Sequence, residues 1–235
     1  MNILNKLLTL FKAKEKNLIG LTINDKLITE KTPSEHWPDY FYCSHNNLTS
    51  LEGAPASVDG YFWCSNNQLT SLEGAPSSVD GNFNCSVNQL TSLEGAPASV
   101  GGYFNCSFNQ LTTLEGAPSS VGGDFWCSYN KLTSLEGAPS SVGGYFNCSF
   151  NQLTSLTGIH KILKQMNGTF YVNKNPLKSN VIGLLLVNGC KEVQMDNKQV
   201  EEIMNRHLQS PFGNKRVIEC QSEMLDADLG EWAEL

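Results

Sequence analysis

The middle of this sequence has almost no positive charge. Between residues 40 and 156 a single Lys131 stands against eight acids, whereas residues 1–39 carry six Lys and five acids and residues 157–235 carry nine basic and ten acidic residues. A segment that acidic repels a phosphate backbone, which excludes nucleic acid as the partner. No apolar run approaches the ~20 residues that a membrane helix needs. The short run Leu7–Phe11 follows one Lys, Lys6, and no small-residue cleavage site comes after it, so it does not read as a secretory signal. Reaction chemistry is also missing. There is no P-loop, no G-x-G-x-x-G opening a helix, and His36, His45, His160 and His207 are scattered without a Ser/His/Asp or Cys/His grouping. The expectation is a chain that is not an enzyme and needs no metal or cofactor. At 40% hydrophobic over 235 residues it is nevertheless too apolar to be disordered.

The dominant feature is a repeat. Cys43, Cys64, Cys85, Cys106, Cys127 and Cys148 recur every 21 residues. Around each the unit reads Phe-x-Cys-Ser-x-Asn-x-Leu-Thr-Ser/Thr-Leu, followed by Gly-Ala-Pro-x-Ser-Val-x-Gly. The Phe-x-Cys alternation predicts a short strand, and the Gly- and Pro-rich remainder cannot hold a helix of useful length. Each unit therefore reads as one strand plus an irregular return. Stacked strands lie ~4.8 Å apart, so equivalent side chains form ladders and each turn buries its neighbour's Phe and Cys. Phe170, Val172, Asn175 and Leu177 form a longer seventh unit, and Val193 with Met195 reads as a last strand.

This pattern resembles the leucine-rich repeat, L-x-x-L-x-L-x-x-N/C-x-L, with Phe and Cys in two apolar slots and Asn46, Asn67, Asn88, Asn109, Asn130 and Asn151 in the ladder position. It is most similar to the short bacterial repeats of YopM- and IpaH-like effectors, from which it departs in its length and in having Gly-Ala-Pro for Leu-Pro. The resemblance implies an α+β solenoid: a leucine-rich repeat array with a parallel β-sheet on its concave face, irregular convex returns and helical caps at both ends. The domains follow as an N-terminal cap over 1–39, repeats over 40–178 and a helical C-terminal cap over 179–235. Asn2–Ala13 has the pattern of an amphipathic helix that caps the first repeat, a use favoured over a membrane-surface one. Leu177–Val187 reads as a buried helix, Asp196 with Gln199 as a capping-box start, and Val217, Ile218, Met224 and Leu225 as a last helix. Cys190 and Cys220 fall in these helices.

The repeat's own spacing explains the six regular Cys as core thiols rather than metal ligands or disulfides, and eight reduced thiols point to the cytoplasm. Glu52, Glu73, Glu94, Glu115 and Glu136 form a solvated acidic row, too sparse a ligand set for Ca²⁺.

With Phe and Cys turned in, the intervening positions face outward. Tyr40, Tyr42, Tyr61, Trp63, Asn84, Tyr103, Asn105, Phe108, Trp126, Tyr129, Tyr145, Asn147, Phe150 and Tyr171 then form one aromatic and amide-rich surface, with the Ser after each Cys as a further hydrogen-bonding row. Rigid aromatic anchors beside adaptable amides have the make-up of a paratope. The function this predicts is a non-catalytic interaction module for a protein partner, a phage or bacterial factor that targets a host protein. Two alternatives remain open: a carbohydrate ligand, and an effector-type enzyme similar to the ubiquitin ligases, for which only about 60 residues after the seventh unit are left.

Overall fold

Two-residue strands cannot stand alone, so each pairs with its equivalent one turn away. A computed structural model describes residues 18–19, 21–23, 26–27 and 36–234, and these form a β-solenoid of about eight turns. An antiparallel pair, β1 (Thr22–Ile23) and β2 (Lys26–Leu27), precedes it. One parallel ladder is built from β3 (His36–Trp37), β5 (Ser57–Val58), β7 (Ser78–Val79), β9 (Ser99–Val100), β11 (Ser120–Val121) and β13 (Ser141–Val142). The other comprises β4 (Phe41–Tyr42), β6 (Phe62–Trp63), β8 (Phe83–Asn84), β10 (Phe104–Asn105), β12 (Phe125–Trp126) and β14 (Phe146–Asn147). Register follows the repeat, with Phe104 opposite Phe83 and Phe125, and Val121 opposite Val100 and Val142. Both ladders meet on the long β15 (Gln165–Tyr171), and β16 (Asn188–Gln194) adds the last rung.

The Ser-Val ladder corrects the expectation of an irregular return. A two-residue strand has too little local alternation to be visible in one unit, because its hydrogen bonds all run between turns. The glycines beside it have a steric reason. A Cβ on Gly122 would stand 2.1 Å from the Gly101 carbonyl oxygen, and one on Gly143 would stand 1.9 Å from that of Gly122.

The core is a set of columns. Phe41, Phe62, Phe83, Phe104, Phe125, Phe146 and Phe170 are fully buried and pack ring to ring with centroids 5.0–5.6 Å apart, and Trp37 closes the column edge-on against Phe41. The six repeat thiols are free and fully buried, and those of Cys85, Cys106, Cys127 and Cys148 donate to a carbonyl of the next turn, as where Cys106 Sγ lies 3.4 Å from the Trp126 carbonyl. Burial raises their pKa values well above the usual thiol range.

Buried asparagines tie the turns together. Asn109 Nδ2 donates to the carbonyls of Cys106 (3.0 Å) and, one turn back, Cys85 (3.2 Å), while its Oδ1 accepts from Leu90 N–H (3.0 Å). Asn67, Asn88, Asn130 and Asn151 repeat this set, and Asn175 does so in the longer seventh unit.

After the seventh unit the sequence reading needs revision. The longer interval that leads into that unit, 24 residues from Cys148 to Val172, holds a four-residue helix α1 (Ile159–Ile162). Leu177–Val187 holds only a 3-10 turn at Ile182–Leu186, as Gly183 and the branched Val181 and Ile182 disfavour an α-helix. Cys190 lies in β16, not in a helix. The helix α2 (Lys198–Leu208) starts at Asn197, whose Oδ1 accepts from Val200 N–H; Asp196 instead accepts from Lys174 N–H. A last helix, α3 (Asn214–Asp226), is held to α2 by Glu223, which takes hydrogen bonds from His207 (2.8 Å) and Arg206; the His207 bond holds its carboxyl below the usual range. The C-terminal cap is therefore helical only in part, and the expected N-terminal helix at Asn2–Ala13 lies outside the described residues.

The free edge of β16 is covered by side chains of α2. Asn205 accepts from Val193 N–H (2.7 Å) and donates to Val193 C=O (2.9 Å), Glu201 accepts from Met195 N–H (2.6 Å), and Gln209 donates to Lys191 C=O (3.2 Å). Four helical residues rise ~6 Å, close to the ~6.6 Å of two strand residues, so positions 201, 205 and 209 match alternate residues of the strand.

Two expectations follow. Ellman's reagent titrates almost no thiol in the native chain and all eight after denaturation; rapid native labelling of the repeat thiols would place them outside the stack. Replacing Asn205 with Ala strands one backbone donor and one acceptor, and lowers stability by about 1–3 kcal/mol in a denaturant titration. It also opens the edge, so association rises with concentration in sedimentation runs relative to the parent chain.

Candidate interaction surface

The Phe-x-Cys strand and the turn after it set three outward positions per repeat. The first precedes Phe, the second lies between Phe and Cys, and the third precedes the ladder Asn. Each forms a column along the stack.

In the first column Tyr40, Tyr61 and Tyr145 are exposed and Tyr103 is half-buried. Asn82 and Asp124 interrupt them, and each accepts a hydrogen bond from the backbone N–H of the following Tyr: Asn82 Oδ1 from Tyr103 (2.9 Å) and Asp124 Oδ1 from Tyr145 (2.8 Å). The second column holds the exposed Tyr42 and the half-buried Trp63, Asn84, Asn105, Trp126, Asn147 and Tyr171. Rings from the two columns meet, Tyr61 on Trp63 at 5.8 Å and Tyr103 on Trp126 at 5.0 Å, both stacked. Tyr40, Tyr42, Tyr61 and Trp63 line a shallow apolar notch of about 290 Å³ over Phe41. Burial raises the Tyr103 hydroxyl pKa.

The third column runs His45, Asn66, Val87, Phe108, Tyr129, Phe150 and Lys174, and every member has φ between 54° and 60°. This left-handed turn aims the next residue, the ladder Asn, into the core and throws its own side chain outward. His and Asn tolerate it; a β-branched or aromatic residue pays ~1–2 kcal/mol. Phe108, Tyr129 and Phe150 nevertheless occupy it, 51%, 42% and 41% exposed, with rings stacked at 4.3 and 4.1 Å and tilted by 10° or less. Nothing in the structure explains Val87 in the same conformation.

All fourteen residues expected on the surface are exposed or half-buried and fall into these three columns. Two details of that expectation change. The Ser row is buried (Ser44, Ser65, Ser107 and Ser128 bond to one another in pairs), so it offers no donors outward. The carbonyl oxygens of Asn84, Asn105 and Asn147 accept from Ser86, Ser107 and Ser149 N–H, which leaves the amide Nδ2 groups of Asn105 and Asn147 for a ligand, while the Asn84 side chain faces the Tyr103 hydroxyl. Asp124 shares the first column with the tyrosines but is not among the residues expected to bind. Among the described residues no group of three His, Cys, Asp or Glu is placed to hold a metal ion, and no helix is long and apolar enough to cross a membrane.

No protein-family model matches this chain, and no curated protein matches it either.

The left-handed column yields a stability test free of any ligand. Val87→Asn places at turn three the residue type that turn two already carries at Asn66, and raises stability by about 1 kcal/mol. A denaturant midpoint at or below that of the parent chain would mean the Val side chain contributes more contact than the backbone conformation costs.

Proposed function

We propose that this protein is a non-catalytic leucine-rich-repeat-like module that binds a protein partner through the three outward columns. The observation that carries the reading is the Phe108–Tyr129–Phe150 stack. Three large apolar side chains sit half-exposed in a backbone conformation that disfavours them, where two other turns use His45 and Asn66. Residues held at such a cost and still open to solvent mark binding sites more often than packing sites. The surrounding Tyr, Trp and free amide donors add rigid anchors and adaptable polar contacts.

The geometry favours protein over carbohydrate. A sugar lies on a free ring face, whereas in the Phe108–Tyr129–Phe150 stack the rings cover one another's faces. An effector-type enzyme receives no support from Cys190 and Cys220, the thiols outside the repeats. Both are buried and pushed up to about 12, chiefly by desolvation, the reverse of an activated nucleophile. Eight free thiols suit a reducing compartment such as the cytoplasm of a bacterium or its host, and the repeat type suits a bacterial or phage factor.

The test uses Phe108→Asn with Phe150→Asn. Asn is native to this left-handed position, so relief of the backbone offsets the lost stacking and the Tm shifts by only a few degrees. Affinity capture from host lysate, read by mass spectrometry against the parent chain, then loses the partner. Aromatic anchors worth ~2 kcal/mol each imply roughly 30-fold per residue. A variant that captures the same proteins at the same level would remove this face as the docking surface.

A further inference from the structure

Among the outward positions of the six regular turns there is one carboxylate, Asp124. Its structural task is the hydrogen bond from Tyr145 N–H, and the repeat contains its own control for that task. Asn82, in the same column two turns earlier, makes the equivalent bond to Tyr103 N–H with a neutral amide. The fold therefore needs an oxygen at this position and not a charge. No Lys, Arg or His among the described residues pairs with Asp124. Among the described residues nothing donates to its second oxygen, Oδ2.

Aromatic residues flank Asp124 along the columns. Tyr103 and Tyr145 are the column neighbours on the turns below and above, one strand spacing away each. Trp126 lies two residues along the same strand and so on the same face, stacked on Tyr103 at 5.0 Å. A carboxylate without a counter-ion, flanked by Tyr, Tyr and Trp, complements a flat cation. A guanidinium bonds the carboxylate through its N–H fork and lays its plane on an indole, which an ammonium cannot do. The repeat region around it, with eight acids to one Lys, attracts the same charge sign.

We infer that Asp124, Tyr103, Trp126 and Tyr145 form a receptor for an arginine side chain of the protein partner. This rests on the docking face proposed above and names what its centre selects.

The experiment uses the full chain and three dodecapeptides: alternating Arg-Gly, the same with citrulline (isosteric and uncharged), and Lys-Gly. Binding is followed by the indole N–H resonance of Trp126, assigned with Trp126→Phe. The Arg peptide is expected to shift that resonance saturably, at least tenfold more tightly than the citrulline or the Lys peptide. Asp124→Asn keeps the Tyr145 hydrogen bond and the Tm, and loses at least tenfold in affinity for the Arg peptide. Tyr145→Leu, with the carboxylate in place, loses about threefold or more. No binding by the parent chain, equal binding of the citrulline peptide, or an unchanged Asp124→Asn each overturns the receptor; equal binding of the Lys peptide overturns the assignment to arginine. Failure here is separable from failure of the docking face, because Phe108 and Phe150 stand in a different column. Partner capture that survives Asp124→Asn and falls with the two Phe variants leaves the face and removes the arginine.

Discussion

The hydrogen bonds of the buried asparagine column set the geometry of the turn. Each ladder amide ties its own turn to the one before, and it reaches those carbonyls only because the preceding residue adopts a left-handed conformation that breaks the strand's alternation. That reversal places Asn inward next to Cys and throws the residue before it outward. The third outward column is thus a by-product of satisfying buried backbone groups. An aromatic surface could be mounted there without disturbing the core, at the cost of a backbone conformation that suits Asn or His better.

A solenoid solves its interior by repetition and has to solve its ends by exception. At the start, Trp37 turns edge-on to the first ring of the Phe column, where a further parallel Phe would expose its face. Near the other end, three extra residues take the chain from the 21-residue spacing to the 24 that separate Cys148 from Val172. The longer turn holds the four-residue α1, and one continuous strand, β15, then serves both ladders at once. The side chains of α2 then stand in for the strand that would come next, with Asn205 offering Val193 both a donor and an acceptor as a backbone peptide would. Satisfying an edge in this way removes the template for pairing with another chain.

How much of this was legible beforehand depends on where the information resides. The inward Phe and Cys, the Asn ladder and the outward columns could all be read, because a strict period turns a single strand's alternation into columns. The Ser-Val strand could not be, since two residues carry no periodicity and their partners are 21 positions away. The burial of the Ser row was hidden for a related reason: alternation predicts an outward Ser after an inward Cys, but the left-handed turn begins there and folds the hydroxyl against its neighbour one turn on. The 3-10 turn at Ile182–Leu186 was misread because an all-apolar run shows burial without showing which backbone is buried. Asp124 was visible as a letter, yet its meaning needed the hydrogen bond to Tyr145, which shows what the residue does for the fold and what is left over.

Near-identical units give this protein a form of internal evidence that most folds lack. Six copies of one position sample residues that the same backbone accepts, so a departure can be weighed against its siblings. His45 and Asn66 show what the left-handed turn prefers, and Asn82 shows that an amide suffices where Asp124 carries a charge. In both cases the surplus, three stacked rings and one uncompensated carboxylate, points outward on the same face and adds nothing to the hydrogen bonds between turns. The inward columns change little from turn to turn and the outward ones change freely. The ladder therefore constrains stability and leaves selectivity to the side chains that it does not need.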